Sequence, residues 1–343
     1  PASGSLPEGE QGRARVSELH TFLFDGMPVR GMLVRLTGAW QEMLARRAAN
    51  TATGAHPAPV RALLGEMAAA ALLLQGNIKF NGALVLQIQG DGPLKLAVAE
   101  AQSDLRVRAT ASLAGEVPAA AGFAELVNPH GHGRCAITLD PRDRQPGQQP
   151  YQGVVPLVDE HGVALTSLSS ALEHYMRQSE QLDTTLVLAA DDQVAAGLLI
   201  QRLPGQGVNN LEGRATGAGA ASADPEEDYR RIALLARSLK REELLTLDAD
   251  TVLHRLFWEE PLQRFEPRTG ESGPRFACSC SRERVAQMLR SLGADEAEAI
   301  VREEGQVEVG CDFCGQQYRF DAVEVAQLFL PAVGQPPVGP QVQ

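Results

Sequence analysis

Four cysteines near the end of the chain constrain its fold more than any other feature. They follow the pattern C-x-C, 30 intervening residues, then C-x-x-C, and they are Cys278, Cys280, Cys311 and Cys314. Two close pairs of thiolates separated by a domain-sized spacer are what a tetrahedral Zn²⁺ site requires. The pattern therefore predicts one Zn(Cys)4 site. The module around this site is too small to be stabilised well by hydrophobic packing alone.

The residues around these cysteines carry helix and strand signals that suit such a module. Ser281 is a candidate N-cap for a helix that stops at Gly293, and Asp295 with Glu298 resembles a capping box for a second helix. A short strand then leads into the CDFCG turn, a second strand follows, and Asp321 opens a last helix. We expect a compact α+β module of about 55 residues.

Two other interpretations of the cysteines remain open at this stage. The four thiols could be reduced and metal-free, or Cys311 and Cys314 could form the redox pair of a thiol oxidoreductase, although the βαβ surroundings of that motif are missing. Four protein thiolates leave no open zinc position for substrate water, and no nucleophile–base set is recognisable elsewhere. We therefore predict a protein that is not an enzyme. Zinc keeps thiols deprotonated, and thiolates are the species that oxidants attack.

The fifth cysteine lies in the stretch NPHGHGRCAITLDP. His130, His132 and Cys135 could be imagined as metal ligands, but a Gly-rich turn leading into a strand with a half-buried cysteine is the favoured interpretation. The odd number of cysteines in a long chain argues against a fold held together by extracellular disulfides.

Charge and hydropathy exclude several classes of function. The chain has 31 basic and 43 acidic residues, a net charge of −12, which repels phosphate backbones and argues against a nucleic-acid binder. The longest uninterrupted apolar stretch, Met67 to Leu74, is far shorter than the roughly 20 residues that cross a bilayer. The first residues have neither the basic nor the apolar region of a secretory signal. We expect a cytoplasmic protein that binds no membrane.

The remaining pattern indicates an α+β chain with a mixed α/β core domain, a helical linker and the small zinc-binding α+β domain. Strand-like alternation surrounds the DGMPVRG turn, PVRALLGEMAAAALLLQG reads as a buried helix, and Asn81-Gly82 and Gly90 to Pro93 are hairpin signals. Charged segments after Pro225 carry apolar residues at helical spacing. The predicted organisation is a disordered leader over 1–15, a core over 16–204, a linker, flexible and then helical, over 205–270, a zinc-binding domain over 271–330 and a disordered tail over 331–343.

Several segments resemble signatures of one family, the redox-regulated 33 kDa chaperonins, or heat-shock protein 33 family, which are bacterial holdases. They are PVRALLGEMAAAALLL, LQIQGDGPLKLAVAEA, YQGVVPL with HYMRQSEQLDT, and FACSCSRERVAQML with GCDFCGQQYRF. The resemblance runs from about Val16 to Phe329. The cysteine spacing combined with the upstream segments is much more specific than either alone.

This resemblance implies a redox switch. Cys278, Cys280, Cys311 and Cys314 would bind one Zn²⁺ in the reduced, inactive state. Oxidants such as hypochlorite, or peroxide with heat, would then form the disulfides Cys278–Cys280 and Cys311–Cys314. Zinc would leave, the zinc domain and the linker would unfold, and the chain would dimerise through its core domain. The active form would bind unfolding client proteins without ATP and prevent their aggregation. Cys135 lies outside the family's metal motif.

A zinc-ribbon protein that contacts nucleic acid or the ribosome is the alternative function. Arg282, Arg284 and Arg290 lie close to the cysteines and could contact phosphate, but acidic residues such as Glu283 and Glu296 surround them in the sequence.

Overall fold

Alternating apolar residues build most of the described chain into antiparallel sheet. The computed structural model describes residues 16–50, 53–143, 147, 149–204 and 224–330, so the predictions for 1–15, 205–223 and 331–343 lie outside the described residues. Fourteen strands are present in the described residues: β1 Glu18–Phe24, β2 Val29–Leu36, β3 Gly82–Gln89, β4 Leu94–Gln102, β5 Arg106–Leu113, β6 Arg134–Pro141, β7 Tyr151–Pro156, β8 Thr184–Ala190, β9 Ala195–Arg202, β10 Leu262–Arg264, β11 Arg268–Thr269, β12 Arg275–Phe276, β13 Val307–Gly310 and β14 Gln317–Phe320.

Ten α-helices accompany these strands in the same described residues. They are α1 Gly38–Ala48, α2 Ala58–Asn77, α3 Phe123–Val127, α4 Leu168–Ser179, α5 Pro225–Arg237, α6 Arg241–Thr246, α7 Ala249–Phe257, α8 Arg282–Leu292, α9 Ala294–Glu304 and α10 Ala322–Leu328. The predicted α+β class is confirmed. The described chain forms two compact units, which divide between Ala277 and Cys278.

The first unit contains two sheets. One has the strand order β10-β1-β2-β9-β8, with β11 also paired to β1, and all of its pairings are antiparallel. The other has the order β12-β5-β4-β3-β6-β7 and is antiparallel except for the parallel pair β12–β5. We call them the linker-side sheet and the second sheet.

The apolar helix α2 lies between these two sheets. Its residues join side chains from both sheets in one buried cluster, and Leu72 and Leu73 are fully buried. Gly65 permits the close approach of α2 to the linker-side sheet, because a Cβ there would lie 2.5 Å from the Cβ of Ala190. By length and composition α2 could span a membrane, but 72% of the tested segment is buried inside the protein. The helix is therefore the core helix that its sequence predicted.

The other face of the linker-side sheet is covered by helices α5, α6 and α7, which we call the cover. Period-two alternation gives this sheet two apolar faces, so that Met32 and Val34 face α2 while Val29 and Leu33 face the cover. The buried residues contributed by the cover are Ile232, Ala236, Leu239, Leu244, Leu245, Ala249, Val252, Leu253, Leu256 and Phe257. The amphipathic helices predicted after Pro225 are confirmed, and their apolar stripes are paired with an apolar sheet face.

The second unit has a very small core. The β13–β14 hairpin packs with α8, α9 and α10 around six buried residues, Ala286, Leu289, Ala297, Val307, Phe320 and Val325. Ser281 caps α8 by accepting the N–H of Arg284, and Asp321 opens α10 as predicted, through a capping box with Glu324. So small a core provides little stability for an independently folded unit unless a disulfide or a bound metal contributes.

Two local predictions were wrong. Asn81-Gly82 is not a hairpin turn, because residues 78–81 connect helix α2 to strand β3 and the element directly before Gly82 is a helix, not a strand. Asp295 does not cap α9, because the N-cap is Gly293 and Asp295 already lies in the first helical turn. An acidic residue is equally favourable in that turn, where it faces the positive end of the helix dipole, so the sequence signal was misplaced by two residues.

Candidate metal centre

The four predicted ligands come together in the second unit. The Sγ atoms of Cys278, Cys280, Cys311 and Cys314 all lie within 4.8 Å of one another. The Sγ atoms of Cys278 and Cys311 are 3.6 Å apart, and those of Cys280 and Cys314 are 3.3 Å apart. A tetrahedral ion with Zn–S bonds of about 2.3 Å places its sulfurs roughly 3.8 Å apart. The arrangement therefore fits one tetrahedral ion held by four thiolates, and all four residues are free cysteines.

Each pair of cysteines is placed by a tight local structure. Cys278 and Cys280 lie in the segment immediately before α8, where the Ser281 cap fixes the direction of the chain. Cys311 and Cys314 lie in the turn between β13 and β14. In that turn Cys311 donates its N–H to Gln316 O (2.9 Å), and its own carbonyl accepts the N–H of Gly315 (2.8 Å). Gly315 has a φ of +71°, a conformation that glycine adopts without steric cost.

The electrostatics of the site favour a bound cation. Burial, as the largest cause, raises the pKa of the Cys314 thiol to about 11. The pKa of Cys311 is raised above its usual range, mainly because its thiol hydrogen-bonds to that of Cys278. Four sulfurs this close cannot all be ionised next to one another without a compensating positive charge. A soft divalent ion such as Zn²⁺ supplies that charge and accepts four thiolate ligands.

Tyr318, on β14, is a contact of the metal centre that the sequence analysis missed. Its hydroxyl donates a hydrogen bond to Cys280 Sγ over 3.1 Å, and this bond is the main reason why the pKa of Tyr318 is raised. Hydrogen bonds from the surroundings orient ligands and tune their reactivity. The only sequence signal was a tyrosine in a strand close to a ligand, which on its own is uninformative.

The alternative metal set around the fifth cysteine is not assembled. Cys135 is fully buried in β6, rather than half-buried as predicted, and burial raises the pKa of its thiol to about 12. His130 and His132 lie in the exposed turn before β6, and their backbone N–H groups are oriented toward the carboxylate of Asp91. Among the described residues, the four-cysteine cluster is the group with metal-binding geometry. The predicted strand is confirmed, and Cys135 is an unreactive core residue.

Two of the three arginines considered for phosphate contact, Arg282 and Arg290, have side-chain partners within the protein. Arg282 pairs with Glu324 (2.6 Å) and its guanidinium lies 4.1 Å from the ring centroid of Phe320. Arg290 donates to the carbonyl of Leu328 over 3.0 Å. These contacts hold α8 against α10, which favours a structural role for both residues.

The fold and the site define a two-unit α+β protein in which a small four-cysteine module follows a core covered by amphipathic helices. The model of the Hsp33 protein family matches residues 17–321, and the chain belongs to this family. It is 46% identical over 313 residues to the 33 kDa chaperonin of Chromobacterium violaceum, which covers 91% of this chain and 93% of that protein. It is 43% identical over 310 residues to the 33 kDa chaperonin of Neisseria gonorrhoeae, covering 90% of each.

A solved structure has the same fold. The 33 kDa chaperonin (heat shock protein 33 homolog) of Thermotoga maritima superposes with a TM-score of 0.66 at 23% identity, over 91% of this chain and 97% of that chain. The family model and the two relatives confirm the family membership predicted from the sequence.

Proposed function

We propose that this protein is a redox-regulated holdase chaperone that works without ATP. Its relatives at 43–46% identity are named chaperonins. The observation that carries the proposal is the cover, since the linker-side sheet has a second, largely apolar face that is buried by amphipathic helices. A globular domain does not need such a face for its own core, and a large apolar face that can be uncovered is a binding surface for unfolding proteins.

The reduced protein is held inactive by one Zn²⁺ bound to Cys278, Cys280, Cys311 and Cys314. A structural zinc site contributes about 10–16 kcal/mol of apparent binding free energy at neutral pH, which is comparable to or larger than the 5–15 kcal/mol of a whole domain. The second unit has only six buried residues in its core. Loss of the ion therefore removes more stability than the module has in reserve, and the module unfolds.

Oxidation forms the disulfides Cys278–Cys280 and Cys311–Cys314. In each pair two thiolates give up two electrons to the oxidant, hypochlorite or peroxide, and join through one S–S bond. In the folded module the thiols of Cys278 and Cys311, and those of Cys280 and Cys314, also lie within hydrogen-bonding distance of each other, so the folded geometry does not select the near pairs. Once the module opens, however, the entropy of loop closure favours partners that are close in sequence. The near pairs are thus a product of the unfolded module.

After its connection to the metal module is lost, the cover is released when a further stress such as heat weakens its contacts with the sheet. Its charged outer faces are well solvated, so the freed segment stays soluble while the sheet face is exposed to clients. In this proposal residues 16–204 form the domain that binds clients and dimerises, 205–270 the linker and 271–330 the redox switch. The oxidised form is a cytoplasmic homodimer that binds unfolded proteins, and it needs no nucleic acid, membrane or catalytic activity.

Two preparations of the full chain test this function. Reduced zinc-loaded protein and oxidised, zinc-depleted protein are each mixed with malate dehydrogenase that is unfolding at elevated temperature, and light scattering is recorded. Suppression by the oxidised form alone is expected. Equal suppression by both forms would remove the redox switch from the proposal, and no suppression by either would remove the chaperone. Cys135→Ala is the matched control, because that thiol lies outside the metal cluster and should leave the switch intact.

A further inference from the structure

Among the described residues, the edge of the second sheet at β5 is paired with only a very short segment of the chain. β12 pairs there through two residues, Arg275 opposite Arg106 and Phe276 opposite Val107, whereas β5 itself is eight residues long. β12–β5 is the single parallel pair within the described strands. An eight-residue edge held by a two-residue strand is a place where another strand can pair.

The contacts of β12 at this edge are those of a bound peptide. The N–H groups of Arg275 and Ala277 donate to the carbonyls of Leu105 (3.2 Å) and Val107 (3.3 Å). Backbone pairing of this kind binds any extended chain, since it does not depend on side chains.

Two side chains of β12 add specificity. The Phe276 ring packs against the main core cluster, and the Arg46 guanidinium, on α1, lies 5.0 Å from its centroid. The Arg275 guanidinium donates to the backbone carbonyl of Asp104 (2.9 Å) and to the Asp104 carboxylate (3.2 Å). The edge thus offers an aromatic pocket with a cationic lid and, beside it, a carboxylate for a basic side chain.

β12 is also placed to leave this edge when the metal module opens. Phe276 precedes Cys278 by two residues, so the strand continues directly into the first metal ligand. Unfolding of that module leaves β12 as the frayed end of the first unit, held by few backbone hydrogen bonds. We propose that the β5 edge is a second client-binding site, which binds an extended segment of an unfolding protein that carries an aromatic side chain. In the closed protein β12 occupies this site in place of a client, with Phe276 beneath the Arg46 guanidinium. This inference rests on the proposed chaperone function.

A client strand has an advantage over β12 at this site. It can pair along the whole of β5 as far as Leu113, whereas β12 uses only the first two positions. Unfolding proteins expose extended backbone and aromatic side chains together, which is the combination that this edge recognises. The apolar sheet face under the cover and the β5 edge would then bind different parts of the same client.

Hydrogen exchange on the full chain tests the site. Oxidised, zinc-depleted protein is compared with and without saturating, thermally unfolding malate dehydrogenase, and light scattering of the same mixtures reports the chaperone activity. Amides of β5 are expected to exchange on the order of tenfold more slowly in the client complex. β7, the opposite edge strand of the same sheet, is the internal control and is expected to be unchanged. If aggregation is suppressed but exchange in β5 is not slowed, or if exchange in β7 is slowed equally, the proposed site is wrong while the chaperone function stands. Absence of any suppression overturns both.

Substitution of Arg46 gives an independent measurement. Arg46→Ala removes the cation over the aromatic pocket and is expected to raise, several-fold, the concentration of oxidised protein that half-suppresses aggregation, while Arg46→Lys, which retains a cation, stays close to the parent. Arg177→Ala, an exposed arginine in the last turn of α4, is the control and should have no effect. Equal activity of Arg46→Ala and the parent, with unchanged β5 protection, contradicts the proposed site.

Discussion

Arg35 is expected to set how firmly the cover is held in the reduced protein. It lies on β2, on the sheet face that the cover buries, and its guanidinium donates to the carbonyls of Leu244 (2.9 Å) and Leu245 (2.7 Å) at the end of α6. These carbonyls have no further turn of helix to pair with, so Arg35 acts as their cap. Burial lowers the pKa of Arg35, but arginine remains charged at neutral pH.

Arg35→Ala removes two charge-assisted hydrogen bonds and leaves two carbonyls without their partner. Hydrogen bonds to charged groups contribute about 1.5–3 kcal/mol each, but the opened carbonyls regain water, so we expect a net loss of about 3 kcal/mol in cover docking. That loss raises the open fraction roughly a hundredfold, since about 1.4 kcal/mol is a factor of ten. Lysine can donate to the carbonyls only as a point charge, so the open fraction of Arg35→Lys should lie between those of the parent and of Arg35→Ala.

The measurement is native-state hydrogen exchange of α5, α6 and α7 in reduced, zinc-loaded protein. Arg30→Ala is the matched control, because Arg30 lies on the same strand but faces α2, where it donates to the carbonyl of Asn77 over 3.3 Å. Faster exchange of the cover in Arg35→Ala and not in Arg30→Ala is expected. Identical protection of the cover in Arg35→Ala and the parent would refute the capping argument.

Three further outcomes follow from the metal centre and the core. Chelation of the metal under reducing conditions should unfold residues 278–330, seen as rapid exchange of α8 to α10, while the core helix α2 stays protected; a fully protected second unit would contradict the stapling role. Tyr318→Phe removes the hydrogen bond to Cys280 Sγ, worth about 1 kcal/mol, and should speed oxidant-driven zinc release roughly fivefold, measured with a zinc-binding dye; an unchanged or slower rate would count against it. Burial and the nearby Arg47 and Arg61 lower the pKa of His56 to about 4, so its neutral form stabilises the fold above pH 6.5 and this contribution is lost as the pH falls toward 4. Urea unfolding should give a free energy of unfolding about 2 kcal/mol lower at pH 5 than at pH 7 from this residue, and His56→Gln should abolish that part of the difference. An equal pH dependence in the variant and the parent would be inconsistent with the assignment.

The four-cysteine cluster could be predicted from the sequence because its parts are fixed locally. Ser281 and Asp321 cap helices through residues three positions away, and each cysteine pair lies within one turn. Signals of this range are readable without knowing the fold. The Asn81-Gly82 turn was misread since the same dipeptide suits a helix-to-strand connection as well as a hairpin.

The contacts that connect the cover to the core could not be predicted in this way. Arg35 and its two carbonyl partners are separated by 209 and 210 residues, and a single arginine in a strand does not indicate where its guanidinium points. The pairing of β12 with β5 is equally remote, because a two-residue strand has no periodicity to detect. Tyr318 belongs to the same group. The contacts that could not be predicted are tertiary hydrogen bonds and strand pairings, whose partners depend on the register and packing of the complete fold.

In the proposed redox mechanism, the placement of these contacts argues that opening occurs in two stages. The buried cluster under the cover is built from residues of the first unit, so unfolding of the metal module breaks none of those apolar contacts directly. What connects the two is the segment that contains β10, β11 and β12, strands of only two or three residues. Short strands with one free end fray easily, and the segment therefore loosens as soon as the module unfolds. The cover then keeps its apolar contacts and its Arg35 cap until a second stress, such as heat, weakens them. In the proposed mechanism metal loss thus prepares the chain, and the stress that unfolds clients completes its opening.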